Sequence, residues 1–319
     1  MAFTPCPRVY LSDESPKDKP WDSHRGQSEA VKGLYALGGY ERYSERMGEC
    51  SNRLQFALKP DEQGDVVFKL FAARFCRVRF CPVCQWRRSL MWVARFLRAM
   101  PKFLADYPKL VPVFLTLTVR NCPVDELRAT VGEMNRAFKR MSERQAWPGE
   151  GWVKSLEVTR NPETREAHPH FHCLLFVKPG YFKGKGYITQ QGWRELWRDC
   201  LRVDYLPVVN VKRVKSKKPG GDDAIGAAAS GIVETLKYSV KPEDLVSDGD
   251  WLYAITQQLH NSRAVAIGGN LKGYLKDEEP EDLINTDEPE LDVESDEGTI
   301  KLIFDWASEV KRYAHKPDN

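Results

Sequence analysis

The spacing of hydrophobic positions along this chain changes period several times, and the changes divide it into elements. From Gln85 to Leu104 the apolar residues Leu90, Val93, Leu97 and Met100 recur at helical spacing and predict an amphipathic helix. Val111 to Val119, containing Phe114-Leu-Thr-Leu-Thr118, is rich in β-formers and predicts a strand. It passes through Asn121-Cys-Pro123 into a helix over about 124–145, whose stripe is Leu127, Val131, Met134, Phe138 and Met141. Two strand-like runs follow, Val153 to Thr159 and one opening at His168, joined by Asn161-Pro-Glu-Thr-Arg165, which has hairpin-turn composition. Thr189 to Val203 sets Trp193, Leu196, Trp197, Cys200 and Leu201 on one helical face, and we read both tryptophans as core. Pro207 to Val214 reads as a further strand. Strand, helix, strand, strand, helix, strand is the ferredoxin-like split β-α-β order, an α+β fold with helices on one face of an antiparallel sheet. In that topology the histidine-bearing strand is central.

Flanking segments complete the outline. Asp222 to Lys241, stopped by Pro242, predicts a helix with Ala229, Ile232, Leu236 and Val240 inward and Glu234, Tyr238 and Lys241 outward. Taken alone, that outward side is a solvated polar face. Residues 1 to about 25 read as a loose polar arm. Trp251 to Leu275 is turn-rich, and Ile300 to Ala314 reads as a terminal helix on Ile303, Trp306, Val310 and Tyr313. The expected divisions are an arm at 1–45, a cysteine-containing region with its helix at 46–105, the main domain at 106–275, an acidic disordered linker at 276–299 and the terminal helix at 300–319.

Composition alters this picture in one respect. At 319 residues and 42% hydrophobic content the chain can build a real core. It opens without a signal-peptide core and has no apolar run near the roughly 18 residues of a membrane span, so a soluble, cytoplasmic protein is expected. The net charge of +3 hides an asymmetry: Asp277 to Glu297 holds twelve carboxylates and no Lys or Arg, leaving 33 acidic against 48 basic residues elsewhere, a net +15. A body that basic points to a polyanionic partner, most simply nucleic acid.

The candidate chemistry starts with His168-Pro-His-Phe-His172, which holds three of the six histidines. In a strand these three share one face, while Phe171, Cys173, Leu175 and Val177 share the other. Neutral imidazoles two apart can converge on a cation, and a carboxylate from the neighbouring strand would complete a facial set open to substrate. Glu157 is that carboxylate. Pairing it with His172 sets Leu156 opposite Cys173, Val158 opposite Phe171 and Thr159 opposite His170, a self-consistent register.

The second cluster is Cys76-Arg-Val-Arg-Phe-Cys81-Pro-Val-Cys84 with Cys50 upstream. A Cys-x-x-Cys knuckle with two further thiols suits a structural tetrahedral Zn²⁺. Cys6 and His24 are weaker substitutes for Cys50. Disulfides are disfavoured without a secretory signal, and a redox pair is disfavoured by the two extra cysteines. Arg77, Arg79, Arg87 and Arg88 surround the knuckle, and Lys212, Arg213 and Lys215 follow the last strand. We read both groups as phosphate contacts.

The cysteine knuckle, Phe114-Leu-Thr-Leu-Thr118, His168-Pro-His-Phe-His172 and Glu234-Thr-Leu-Lys-Tyr-Ser-Val-Lys241, in that order, resemble the rolling-circle plasmid replication initiators among the HUH endonucleases. The resemblance covers roughly residues 50 to 275. It implies a metal-dependent, site-specific nicking of one strand of the plasmid origin, single-stranded or in a hairpin, with Mg²⁺ or Mn²⁺ on His170 and His172 and with His168 as a further candidate ligand. Tyr238 is implied as the nucleophile, leaving a 5′-phosphotyrosine and a 3′-hydroxyl primer. Glu234 stands in for the second tyrosine of some relatives and serves hydrolysis at termination, and Lys241 steadies the phenolate or phosphate. A host helicase and polymerase are the implied partners. A relaxase or transposase of the same nuclease class, a histidine-triad nucleotide hydrolase, and a non-catalytic zinc-dependent DNA-binding protein are the alternatives.

Overall fold

The computed structural model describes residues 8–60, 64, 66–215, 224–236, 239–275 and 300–315. In chain order its first elements are β1 (Val9–Tyr10), α1 (Leu11–Glu14), α2 (Pro20–Leu37), α3 (Glu41–Gly48), β2 (Arg53–Pro60), β3 (Val66–Ala73) and α4 (Pro82–Asp106). Next come β4 (Val111–Thr118), α5 (Leu127–Ser142), β5 (Gly149–Arg160), β6 (Ala167–Val177), α6 (Gln190–Leu201) and β7 (Val209–Arg213). The last are α7 (Ala224–Thr235), α8 (Pro242–Val246), α9 (Gly249–Gln258), β8 (Val265–Gly269), β9 (Lys301–Ala307) and β10 (Arg312–His315). The chain divides into two compact units, residues 1–87 with 280–319 and residues 88–279, the boundary falling inside α4.

The first unit carries an antiparallel sheet of order β1-β10-β9-β2-β3. Here the sequence expectations need two corrections. Residues 300–314 form the hairpin β9–β10 and not a helix, because β9 pairs with β2, setting Leu54 opposite Phe304. The spacing of Ile303, Trp306, Val310 and Tyr313 suits either element, and the distant partner strand decides. Nor is the first stretch loose from Leu11 onward: α2 buries Trp21, Arg25, Ser28, Val31 and Tyr35. Two of those five inward positions are polar, which disguised the helical stripe. Arg25 donates to Asn52 Oδ1 at 2.6 Å, and Tyr313 donates to the Ser51 carbonyl at 2.7 Å. The acidic run 277–297 and Cys6 lie outside the described residues.

The second unit holds the antiparallel sheet β7-β4-β6-β5-β8, with the histidine strand β6 third of five. Strands β4 to β7 and helices α5 and α6 fall where the periodicities place them, and α5 buries all five residues of its predicted stripe. Strand β8 was not foreseen, since Gly268 and Gly269 dilute its pattern. Both glycines are needed there: a Cβ on Gly268 would meet the Trp152 ring at 2.2 Å, and Gly269 has φ +60°.

Helices cover both faces of this sheet, not one. On the Phe171 face α5 brings Phe138, whose ring centroid is 6.1 Å from that of Phe171. On the histidine face, Phe96, Met100 and Phe103 of α4 and Ala228 and Ile232 of α7 pack with Val153, Leu174 and Phe176. The row His168, His170, His172, Leu174, Phe176 is therefore polar at one end and apolar at the other, and α4 and α7 pack on the apolar end. Gly231 lets α7 come close, because a Cβ there would lie 2.5 Å from Leu174 Cδ1.

One core position is costly. Lys154, on the Phe171 face, is 6% exposed. Its ammonium donates to Asn135 Oδ1 at 2.6 Å and lies 3.8 Å from the centre of the Phe171 ring. Burial lowers its pKa from 10.5 to about 8. Between those values the unfolded chain binds more protons than the folded one, so this contribution to stability is lacking below pH 8 and grows as pH rises to 10.5. The penalty at pH 7 is on the order of 3 kcal/mol, since each tenfold change in proton affinity corresponds to ~1.4 kcal/mol. Lys154→Met should thus be more stable than the wild type at neutral pH, with an advantage that shrinks toward pH 10.5. Urea denaturation across that range measures it, and a pH-independent difference would refute the assignment.

Candidate functional site

The polar end of the β6 row meets β5 through a hairpin whose register differs from expectation. Glu157 stands opposite His170, Leu156 opposite Phe171, Val158 opposite Pro169, Thr159 opposite His168, and Ser155 opposite His172. The predicted register was displaced by two residues, which preserves every face assignment because side chains alternate with period two. The turn itself sets the register. Asn161 Oδ1 accepts from the backbone N–H groups of Glu163 and Thr164 at 2.9 and 3.1 Å, Asn161 N donates to Glu166 O, and Arg165 takes φ +59°.

From its place opposite His170, Glu157 reaches both histidines, its Oε2 lying 3.3 Å from His170 Nε2 and 2.7 Å from His172 Nε2. These three residues can hold a metal ion, with one ligand atom from each inside a 4.8 Å span. The far ring nitrogens are also engaged: His170 Nδ1 is 3.2 Å from the His168 carbonyl, and His172 Nδ1 is 3.4 Å from Thr116 Oγ1. With Nδ1 donating to these acceptors, each Nε2 would offer its lone pair to a cation in place of a proton to Glu157, the arrangement a metal-binding histidine needs. Phe114 stacks on the His172 ring at 5.4 Å. Burial raises the Glu157 carboxyl, but hydrogen bonding from the two imidazoles outweighs it and holds the group well below the usual carboxylate range. A carboxylate ionised at every relevant pH is what a cation requires.

His168 stands apart. Its Nδ1 is 2.7 Å from Asn121 Oδ1, its ring centroid is 5.3 Å from that of His170, and it is not one of the three convergent ligands. Burial, with the neighbouring His170, lowers its pKa. Asn121 and Thr116, which orient imidazoles, were not singled out in the sequence. The available signals were the motif Phe114-Leu-Thr-Leu-Thr118, which contains Thr116, and the place of Asn121 just after the strand pairing with β6.

The expected helix 222–241 is shorter than its periodicity suggests. It ends at Thr235, where Ser155 Oγ donates to the Thr235 carbonyl and Ser89 Oγ to the Leu236 carbonyl, taking up groups that another turn would have used. Ser239 then approaches β5, its carbonyl accepting from Val158 N at 2.8 Å, next to Glu157 in sequence. Glu234 is exposed on α7, and Lys241 is exposed where its carbonyl accepts from Asp244 N at 3.1 Å. Tyr238 lies outside the described residues, as do Asp222 and Asp223.

In the first unit Cys50, Cys76, Cys81 and Cys84 converge and are all buried. Cys50 Sγ is 3.7 Å from Cys81 Sγ and 3.6 Å from Cys84 Sγ, and Cys76 Sγ is 3.6 Å from Cys84 Sγ. A tetrahedral ion with ~2.3 Å bonds to sulfur separates its ligands by ~3.8 Å. The cluster therefore fits a tetrahedral thiolate-bound ion. Burial raises the Cys81 thiol, yet hydrogen bonds from Cys50, Cys76, Cys84 and Ser28 bring it well below its ordinary value.

The basic residues divide. Arg77 is exposed at φ +55°, and Arg79 is half-buried beside Phe80. Arg87 is packed, its guanidinium carbon 5.3 Å from the Trp21 ring centre and 5.7 Å from that of Trp86, and burial lowers its pKa. Arg88 is half-buried in the second unit, and Lys215 is exposed. Lys212 and Arg213, adjacent on β7, point to opposite faces of the sheet.

A sheet carrying a candidate two-histidine, one-carboxylate cation site at the polar end of its histidine face, together with a four-thiol cluster in a separate unit, defines a protein with two distinct candidate metal centres. The family model Rep_1, Replication protein, matches residues 67–314, and the chain belongs to that family. It is 32% identical over 307 residues to "Protein rep" of Streptococcus pneumoniae serotype 2 (strain D39 / NCTC 7466), covering 93% of this chain and 92% of that protein. It is 32% identical to "Protein rep" of Bacillus amyloliquefaciens, covering 90% of this chain and 89% of that one. With "Protein rep" of Lentilactobacillus hilgardii it shares 31% identity over 93% and 95% of the two chains. No solved structure matches the chain. The motif resemblance and the family membership agree. Among the described residues no helix is long and apolar enough to cross a membrane.

Proposed function

We propose that this protein is a rolling-circle plasmid replication initiator that nicks one strand of its origin by tyrosine transesterification on a ferredoxin-like HUH sheet. The observation that carries the reading is the convergence of Glu157, His170 and His172 at the polar end of the histidine face. The strand order β7-β4-β6-β5 is that of a split β-α-β unit, with β8 added at the β5 edge.

A Mg²⁺ or Mn²⁺ ion held by these three residues would draw charge from the scissile phosphate and align it. The chain's own groups supply the rest. His168 O and Thr116 Oγ1 fix the two imidazole rings. Tyr238 attacks phosphorus through its phenolic oxygen; the new bond is O–P, the bond to the 3′ oxygen breaks, and the phenolic proton passes to that leaving oxygen. The 3′-hydroxyl then primes synthesis, and the stored 5′-phosphotyrosine keeps the phosphodiester energy. The Ser239 carbonyl on Val158 N supports this role, because it ties the residue after Tyr238 to the strand that bears Glu157. Glu234 serves as general base for water at termination, and Lys241 steadies the phosphate. Trapping the protein on single-stranded origin DNA with divalent metal, then digesting and sequencing the adduct, tests the reading: the nucleotide should sit on Tyr238. An adduct on a histidine would instead favour a histidine-triad hydrolase.

The four-thiol cluster takes a structural Zn²⁺ in this reading, with Arg77 and Arg79 contacting DNA phosphates around it. Cys81→Ser should lower bound zinc from one ion per chain and reduce soluble yield, since structural zinc contributes folding energy outright. Native mass spectrometry reads the stoichiometry. Wild-type protein without zinc, or with disulfides among these cysteines, would refute the assignment.

A further inference from the structure

The histidine face extends beyond the cation site in one direction. Toward β5 it is closed, since Ser155 Oγ holds the end of α7 and Val158 N holds Ser239. Toward β4 and β7 it carries side chains that, among the described residues, stay half-buried or exposed. Thr118 stands opposite His170 and Thr116 opposite His172, while Asn210 stands opposite Thr116 and Lys212 opposite Phe114. Period-two alternation puts Phe114, Thr116, Thr118, Asn210 and Lys212 on the face of the two histidines. Asn210 and Lys212 are exposed, and Phe114 and the threonines are half-buried.

Beyond Thr118 this strip ends in a preorganised cation. Arg120 is exposed, its guanidinium carbon is 4.0 Å from the centre of the Tyr205 ring, and its backbone N–H donates to the Tyr205 hydroxyl at 3.1 Å. Stacking holds the guanidinium flat while leaving its N–H groups outward. Among the described residues no carboxylate pairs with it. The next residue, Asn121, holds His168 beside the cation ligands. A guanidinium stacked on Tyr205 at one end and an exposed ammonium at the edge strand flank a strip of hydroxyls, an amide and an aromatic ring. That combination fits a nucleic-acid strand whose bases are free to stack.

We propose that the β4–β7 strip is the track for single-stranded DNA leading to the cation site, with Arg120, held on Tyr205, and Lys212 each engaging a backbone phosphate. The inference rests on the nicking reading for the identity of the substrate, but its test does not require cleavage. The track leaves out Arg213, which the sequence grouped with Lys212 as a phosphate contact, and Arg213 is therefore the internal control. It is one residue from Lys212 and equal in charge, yet alternation sends it to the opposite face, where its guanidinium carbon lies 5.5 Å from the Phe182 ring centre.

The experiment is fluorescence anisotropy of the full-length protein with a labelled mixed-sequence single strand of about 20 nucleotides, longer than one such site, over a range of salt without divalent metal. Arg120→Ala and Lys212→Ala should each weaken binding and reduce the slope of log K against log salt by about 0.7, the loss of one phosphate contact on a single strand. Arg213→Ala should leave the slope unchanged. Arg120→Lys should keep the slope while binding more weakly, because the charge remains and the stacked fork is lost. Equal slopes for Arg120→Ala and wild type, or equal losses for Lys212→Ala and Arg213→Ala, overturn the track. Should Arg120→Ala not fold, the Lys212 and Arg213 pair decides alone. A wild type that binds with these slopes yet forms no adduct would instead count against the nicking chemistry, leaving the track in place.

Discussion

Tyr238→Phe is expected to form no covalent DNA adduct and to make no nick, with single-stranded DNA binding unchanged. The substitution removes one oxygen and keeps the ring, and in the proposed mechanism that oxygen is the attacking atom. A serine hydroxyl such as that of the next residue, Ser239, is a weaker acid than a phenol, whose ordinary pKa is about 10, and presents far less anion. A denaturing gel of protein incubated with end-labelled origin DNA and Mn²⁺ reads the result. An adduct of wild-type yield would remove Tyr238 from the chemistry.

The second large effect is expected at the cation ligands. His170→Ala and His172→Ala should each slow nicking by about 10²- to 10³-fold, the range seen when one preorganised group stabilising developing charge is removed. Each should also weaken Mn²⁺ binding measured by calorimetry, because each removes an Nε2 directed at Glu157. His168→Ala should cost less and leave Mn²⁺ affinity nearly unchanged, since the Asn121 contact holds it outside the convergent set. Equal losses at all three histidines with no change in metal affinity would favour histidine-triad chemistry.

These expectations draw unequally on sequence and structure. The imidazole row was legible because alternation on a strand is a property of the backbone alone, and Glu157 because the matching strand was adjacent. The pairing register was misjudged by two residues because Asn161 side-chain bonds and the left-handed Arg165 settle the turn, and turn composition does not fix its length. The shortening of α7 was not legible at all. It depends on hydroxyls from Ser89 and Ser155, far away in sequence, bonding to the last carbonyls of the helix.

What the sequence determined by itself is whatever depends on neighbours within a few residues. That covers the identity and face of the histidines, the thiol set with its spacing, the stripes of α5 and α6, and the succession of strands and helices along the central β-α-β-β-α-β run. What only the tertiary structure decided depends on partners tens to hundreds of residues apart. β9 is a strand because β2 offers it an edge, α2 is a helix whose buried face includes Arg25 and Ser28, and β4 sets an unforeseen Thr116 against His172. Local propensity differs between helix and strand by tenths of a kcal/mol per residue, whereas burying a single large side chain contributes about 1.5 to 3 kcal/mol. Where the two disagree, as over residues 300–315, the long-range contact prevails.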